Sequence, residues 1–177
     1  MKGLEKGLIQ IYTGGGKGKT TAVFGLALRA LGQGLTVYII QFMKGRGDGG
    51  EVKALQRWAP DCRVENYGEP AFVRKGEAKA EDVAAAVKAL RKAKEAVHSG
   101  QWDLVILDEV INAVWFELLA EEELLAVLES KLAQVEVVLT GRNASEALKN
   151  KADLITEMVQ IKHPYEKGIQ ARQGIEY

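Results

Sequence analysis

The stretch "YTGGGKGKTT", residues 12–21, decides how the chain is read. It nearly matches a phosphate-binding loop, where Gly, four residues and then Gly-Lys-Ser/Thr follow one another. Gly18-Lys19-Thr20 is intact, but Thr13 stands at the first glycine position. An apolar strand, "LIQIY" (8–12), leads into it. Val23, Leu26, Ala27, Ala30 and Leu31 recur at helical spacing after it, predicting a helix over 18–31. Gly14, Gly15, Gly16 and Gly18 free the backbone to turn N–H groups toward an anion. The opening helix adds its positive end, and Lys19 adds a full charge. Lys17 is a second cation within the loop. Thr20, or Thr21, offers a hydroxyl to Mg²⁺.

A glycine-rich turn with exposed lysines would account for the loop alone, but not for a second signature far along the chain. "DLVILDE" (103–109) reads as a buried strand that delivers Asp108 and Glu109 at its carboxyl end. Acids so placed belong on the metal side of a Mg-nucleotide site. Loop and strand together predict that Thr20, Asp108 and Glu109 serve the metal.

Strands and helices alternate outward from these motifs. Strands are expected at 8–12, 35–42, 62–67, 103–109, 135–141 and 154–162, and helices at 51–58, 81–98, 111–119 and 121–132. Val83, Val87, Leu90 and Val97 mark the apolar stripe of the long helix. Asn143 is expected to cap a further helix, with Glu146 completing a capping box. The pattern predicts an α/β, three-layer fold of the P-loop NTPase-like (RecA-like) kind, with a mostly parallel sheet of about six strands. One domain over 1–177 is expected; no repeat or linker interrupts it. Ligands of such sheets bind at the carboxyl ends of the strands. That makes Gln41, Lys44, Glu51 and Arg142 candidates for the site beside the loop.

Lys plus Arg (24) equals Asp plus Glu (24), which argues against nucleic acid or an anionic membrane as partner. No run approaches the roughly 18 apolar residues of a membrane span, and the first residues lack a signal peptide's apolar core. The single cysteine, Cys62, reads as a small apolar strand residue and excludes an internal disulfide. A cytoplasmic protein is expected. "NKAD" (150–153) spells the guanine-reading pattern of GTPases, yet it lies beyond a helix instead of directly after a buried strand. It reads as a coincidence.

These motifs in order resemble one family. "YTGGGKGKTTAVFGLALRALGQG", "VYIIQFMKG" (37–45), "DLVILDEV", "VVLTGR" (137–142), "DLITEM" (153–158) and the tail "IKHPYEKGIQARQGIEY" are similar to the ATP:corrinoid adenosyltransferases, also called cob(I)yrinic acid a,c-diamide adenosyltransferases. Thr commonly replaces the first glycine in that family. The resemblance implies transfer of the 5′-deoxyadenosyl group of ATP to the Co(I) of a corrinoid, with cobalt attacking the ribose C5′ and triphosphate leaving whole. It also implies a nucleotide bound with its phosphates reversed relative to ordinary phosphate-loop enzymes, a flavin-type reductant for Co(II), and a homodimer. Residues 13–21 with Gln41, Lys44 and Arg142 would bind ATP. Lys19, Thr20 and Glu109 would act in catalysis. Phe72 in "EPAFVRKG" matches a family aromatic that helps displace the lower axial ligand of cobalt.

The chain departs from the family pattern twice. Arg74 stands where some members carry a second aromatic. Only residues 1–7 precede the first strand, whereas longer members carry a segment covering the corrinoid; shielding is expected to be weaker here or supplied by a second subunit. Trp115 and Phe116 are candidates for core or interface. His98 reads as solvated, and His163 lies in the tail motif with no chemical role assigned. Two rival readings are a small-molecule kinase, for which no arginine-rich lid is found, and a non-catalytic carrier of ATP and corrinoid.

Overall fold

The computed structural model describes residues 3–45, 49–58, 60–68 and 76–176. Phe72 and Arg74 lie outside the described residues. The strands are β1 (Ile9–Thr13), β2 (Val37–Phe42), β3 (Cys62–Tyr67), β4 (Leu104–Asp108), β5 (Glu136–Thr140) and β6 (Leu154–Glu157). They form one sheet in the order β3-β2-β4-β5-β1-β6, and every neighbouring pair runs parallel. The main helices are α1 (Lys19–Gly32), α2 (Gly50–Leu55), α3 (Ala80–Ser99), α4 (Val110–Trp115), α5 (Glu121–Glu129) and α6 (Glu146–Lys151). The expected three-layer α/β arrangement is observed.

Alternation along the strands builds two cores. Ile9, Ile11, Tyr38, Ile40, Phe42, Val105, Leu107, Val137 and Leu139 face α3, α4, α5 and α6. Val37, Ile39, Leu104, Ile106 and Val138 face α1 and α2. The central strands are apolar on both faces because both are covered.

Several local expectations are corrected. The buried stripe of α3 is built from Ala86, Ala89, Leu90, Ala93, Ala96 and Val97, while Val83 and Val87 are exposed. Small side chains let this helix lie close to the sheet, and the bulkier valines fall on its flank. Asn143 does not cap α6: its φ is +57°, whereas a cap needs extended backbone. Ser145 caps instead, its hydroxyl accepting the Leu148 N–H at 3.1 Å, and Glu146 opens the helix. The last strand stops at Glu157 instead of 162, because β1, its only neighbour among the described residues, ends at Thr13. The helix expected over 111–119 ends at Trp115, as Glu117 turns left-handed (φ +62°) and drops Leu118 and Leu119 into the core.

Candidate active site

One row of side chains crosses the sheet at its carboxyl edge and is polar where the rows before it are apolar. Register pairs Asn66 with Gln41 and Gln41 with Asp108, and places Thr140 beside Tyr12. All project toward α1, because each lies an even number of residues after an apolar residue of that face. Asp108, fully buried, is the centre of the row. Its Oδ1 accepts from Thr140 Oγ1 (2.7 Å) and Thr20 Oγ1 (3.1 Å). Its Oδ2 accepts from Lys44 Nζ (2.7 Å) and Gln41 Nε2 (2.8 Å). Asn66 Nδ2 donates to Gln41 Oε1 at 2.7 Å and fixes that amide's orientation. Burial alone would push the Asp108 carboxyl up. The Lys44 ammonium and the converging donors more than offset it, holding Asp108 below the usual carboxylate range.

Glu109 has a different environment. It leaves the strand in left-handed backbone (φ +65°), an uncommon conformation for a residue with a Cβ, and starts α4. Its N–H donates to Thr140 Oγ1 at 2.8 Å, and its carboxylate accepts from Asn112 Nδ2. Burial and the neighbouring Asp108 charge push its pKa up, against the pull of Lys44, Lys19 and Arg142. Asn112 Oδ1 also accepts the Arg142 N–H at 2.6 Å, tying the end of β5 to α4. Between them Gly141 (φ +145°) passes so close that a Cβ there would meet Ile111 Cβ at 2.7 Å.

The glycine loop wraps Lys19. The Lys19 ammonium is buried and donates to Gly14 O (2.7 Å) and Gly16 O (2.8 Å). Burial lowers its pKa, countered in part by the Glu109 charge. Gly14 (φ +96°) and Gly18 (φ +113°) need their backbone freedom. Gly14 and Gly16 are also required by a close approach: a Cβ on either would lie 2.5 or 2.7 Å from Met158 O. Gly16 N–H donates to that oxygen at 2.7 Å, so this amide faces the segment after β6. That corrects the expectation that all four glycines aim their N–H groups at an anion. Thr13 is buried at the end of β1, its carbonyl accepting the Met158 N–H at 2.9 Å. Gly15 is exposed and has open space around it.

Comparison with known proteins places this geometry. The family model of ATP:corrinoid adenosyltransferase BtuR/CobO/CobP matches residues 5–177. The chain belongs to that family. A corrinoid adenosyltransferase of a Sinorhizobium species is 42% identical over 98% of this chain and 81% of its own length. Corrinoid adenosyltransferase CobA of Salmonella typhimurium is 34% identical, and the corrinoid adenosyltransferase of Escherichia coli K12 is 35% identical. Each of these two comparisons covers 98% of this chain and 87% of the relative. As a member of the family the protein is an enzyme that transfers the adenosyl group of ATP to a corrinoid.

The structure brings Lys19, Thr20, Gln41, Lys44, Asp108 and Glu109 to one edge, with Arg142 beside them. Thr21 is exposed, so Thr20 is the hydroxyl that reaches Asp108. Glu51 lies in the first turn of α2 and shares no hydrogen bond with the cluster among the described residues. Lys17 turns away toward the tail. Thr140, Asn66 and Asn112 were missed; the only sequence signal for Thr140 was its place at the end of "VVLT". "NKAD" lies at the opposite end of the sheet, where Asp153 Oδ2 accepts the Ile9 N–H at 2.8 Å. His163 Nδ1 accepts the Tyr165 N–H at 3.2 Å and caps a short turn. Burial pushes the Cys62 thiol up to about 11, leaving it inert as a nucleophile at neutral pH. Phe116 packs against the core and Trp115 is largely exposed.

Proposed function

We propose that the enzyme joins the ribose C5′ of ATP to the Co(I) of a corrinoid and releases triphosphate, with the phosphate loop holding the leaving group. A cobalt electron pair forms the Co–C5′ bond, and the C5′–O5′ pair leaves with the triphosphate. The observation that carries this reading is the buried Lys19 lying across the loop, facing the same edge as Asp108. Its present partners are neutral carbonyls. An anionic phosphate oxygen is a stronger acceptor for an ammonium, so Lys19 is poised to stabilise charge that grows on the leaving group. Lys44 and Arg142 add positive charge beside the loop, and the buried Gln41 contributes a neutral amide that holds Asp108. Co(I) is already nucleophilic, so the reading requires no general base.

The donor set suits a Mg²⁺ brought in with the nucleotide. Among the described residues there is no group of three or more His, Cys, Asp or Glu able to cage a metal alone. Mg²⁺ is commonly held by one or two carboxylates together with substrate phosphates. The Thr20 hydroxyl and the Asp108 and Glu109 carboxylates would hold it, and when bound it supplies positive charge to the triphosphate.

The corrinoid falls to Phe72 by resemblance to the family, and a flavin-type reductant would supply Co(I). Exposed Leu154, Ile155, Val159 and Ile161, on and beyond β6, the last strand of the sheet among the described residues, support a homodimer through a second copy of this surface. One domain over 1–177 and a cytoplasmic setting complete the reading. The free, buried Cys62 suits that setting. Among the described residues no helix is long and apolar enough to cross a membrane.

The decisive test is an anaerobic assay with ATP, Mg²⁺ and chemically reduced cobalamin. A light-sensitive Co–C bond formed together with triphosphate supports the reading. ADP release, or ATP binding with no change in the corrinoid spectrum, overturns it. Phe72→Ala is expected to slow reaction from Co(II) more than from pre-reduced Co(I); equal slowing removes its ligand-displacing role.

A further inference from the structure

The two lysines of the phosphate loop have different partners. Lys19 is buried over loop carbonyls. Lys17 points outward, and its Nζ lies 2.8 Å from Glu176 Oε1 and 3.4 Å from Ile175 O. Glu176 comes from the far end of the chain and is itself firmly held. Its Oε1 also accepts from Arg172 Nη2 (3.1 Å). Its Oε2 accepts from the Arg172 backbone N–H (2.8 Å) and Nε (3.2 Å). Gly174, with φ +77°, makes the turn that folds Glu176 back over Arg172. The hydrogen bonds from Arg172 and then Lys17 bring the Glu176 pKa down to about 2, so it is charged across the neutral range. The tail therefore meets the loop twice, at Gly16 through Met158 O and at Lys17 through Glu176.

A carboxylate already seated on a loop cation has consequences for a site that must first hold and then lose a triphosphate. To use Lys17, the polyphosphate must take it from Glu176. The exchange is easy in either direction, because the pair is solvent-exposed and such pairs are worth little. Glu176 is not left unpaired by it, since Arg172 still neutralises the carboxylate. After transfer, Glu176 can recapture Lys17 and weaken the loop's hold on the product.

We propose that Glu176 is a product-release residue: a tail carboxylate that competes with triphosphate for Lys17. The proposal rests on the reading of the loop as the triphosphate site. Glu176 is not a catalytic residue, since it acts through Lys17.

The test is a double-mutant cycle read by calorimetric binding of inorganic tripolyphosphate to the full chain, with wild type, E176Q, K17M and the double variant. E176Q is expected to bind tripolyphosphate about three- to five-fold more tightly, the scale of an exposed ion pair, and less so at high salt. The double variant should bind no more tightly than K17M. In turnover with cobalamin, E176Q should show a lower steady-state rate relative to its first-turnover rate. Equal or weaker binding by E176Q overturns the proposal. So does tightening that persists without Lys17, which would reflect a general field instead of competition. If wild type fails to bind tripolyphosphate, the loop reading falls, and the release role falls with it. If binding is intact but uncoupled, only the release role falls.

Discussion

The two ends of the sheet both carry carboxylates, yet they engage them differently. At the amino end each of three acids accepts a backbone N–H, and Glu136 also takes the Gln10 side-chain amide. Asp153 accepts the Ile9 N–H, Glu136 the Leu8 N–H, and Asp103 both the N–H and the hydroxyl of Thr36. At the carboxyl end Asp108 binds side chains only: Lys44, Gln41, Thr140 and Thr20. A backbone amide at a strand start cannot change partner without disturbing the strand. A lysine or hydroxyl can turn toward an incoming ligand and leave the fold in place. The same residue type thus pins the chain at one end and remains exchangeable at the other.

Asp108→Asn tests the exchangeable end and carries the largest expected effect. Adenosyl transfer should fall by about two to three orders of magnitude, the scale of losing one preorganised polar group at a reacting centre. The fold should persist, because Asn still accepts from Thr140 and the partly exposed Lys44 can turn to solvent. The folded state holds Asp108 below its ordinary carboxylate range, so its ionised form adds stability that is present above that range and lost as pH falls through the depressed value. Asn forfeits that contribution, so the stability difference between variant and wild type narrows as pH falls. Calorimetric unfolding beside a transfer assay checks both; a stability loss matching the activity loss would break the contrast.

Asp153→Ala tests the pinned end. It leaves the Ile9 N–H without its partner, at a cost of about 1–3 kcal/mol. For a chain of this length each kcal/mol lowers Tm by roughly 2–4 °C. Transfer per folded molecule should be unchanged. Lost transfer at full stability would mean that the two ends are coupled.

Thr140→Val probes the hinge between the two roles. Its hydroxyl donates to Asp108 and accepts the Glu109 N–H, so it joins the exchangeable cluster to the backbone. Both stability and transfer should fall, by about 1–3 kcal/mol and about ten-fold respectively. Stability lost alone would place Thr140 with the pinned end.

How far sequence carries follows from this contrast. The strands, the loop and Asp108 were legible because periodicity and a spaced motif are local signals. Asn66, Asn112 and Thr140 were not, because each is an ordinary polar residue until register places it in a row with Asp108. Met158 on the loop glycines is a contact between residues 14–18 and 158, invisible in either segment alone. The α3 stripe differs from the expected one because alanine carries little hydrophobic signal, yet close packing favours it. Asn143 and Ser145 are both cap-forming residues two positions apart, and only backbone conformation chooses between them. Part of the corrinoid side rests on Phe72 and so on resemblance alone.

The smallest expected effect comes from a carboxylate one residue away from the polar row. Glu65 precedes Asn66 on β3 but faces α3 instead of α1. It accepts from Tyr38 Oη (2.6 Å), Tyr67 Oη (2.5 Å) and Arg63. Burial and the hydrogen bond to Glu65 push the Tyr67 pKa up to about 12. Its proton is therefore held in the folded chain after the unfolded chain has begun to lose it, near the ordinary phenol value of about 10. The resulting stability is complete below that value and fades as pH rises toward 12. Tyr67→Phe should flatten the alkaline limb of stability, by less than about 1 kcal/mol because solvent screens a half-exposed group. Tripolyphosphate binding should stay as in wild type, since this carboxylate lies on the other face of the sheet. Altered binding would show that the Glu65 cluster reaches the site through β3. The division of roles would then follow distance from the carboxyl edge, and the face of the sheet would not matter.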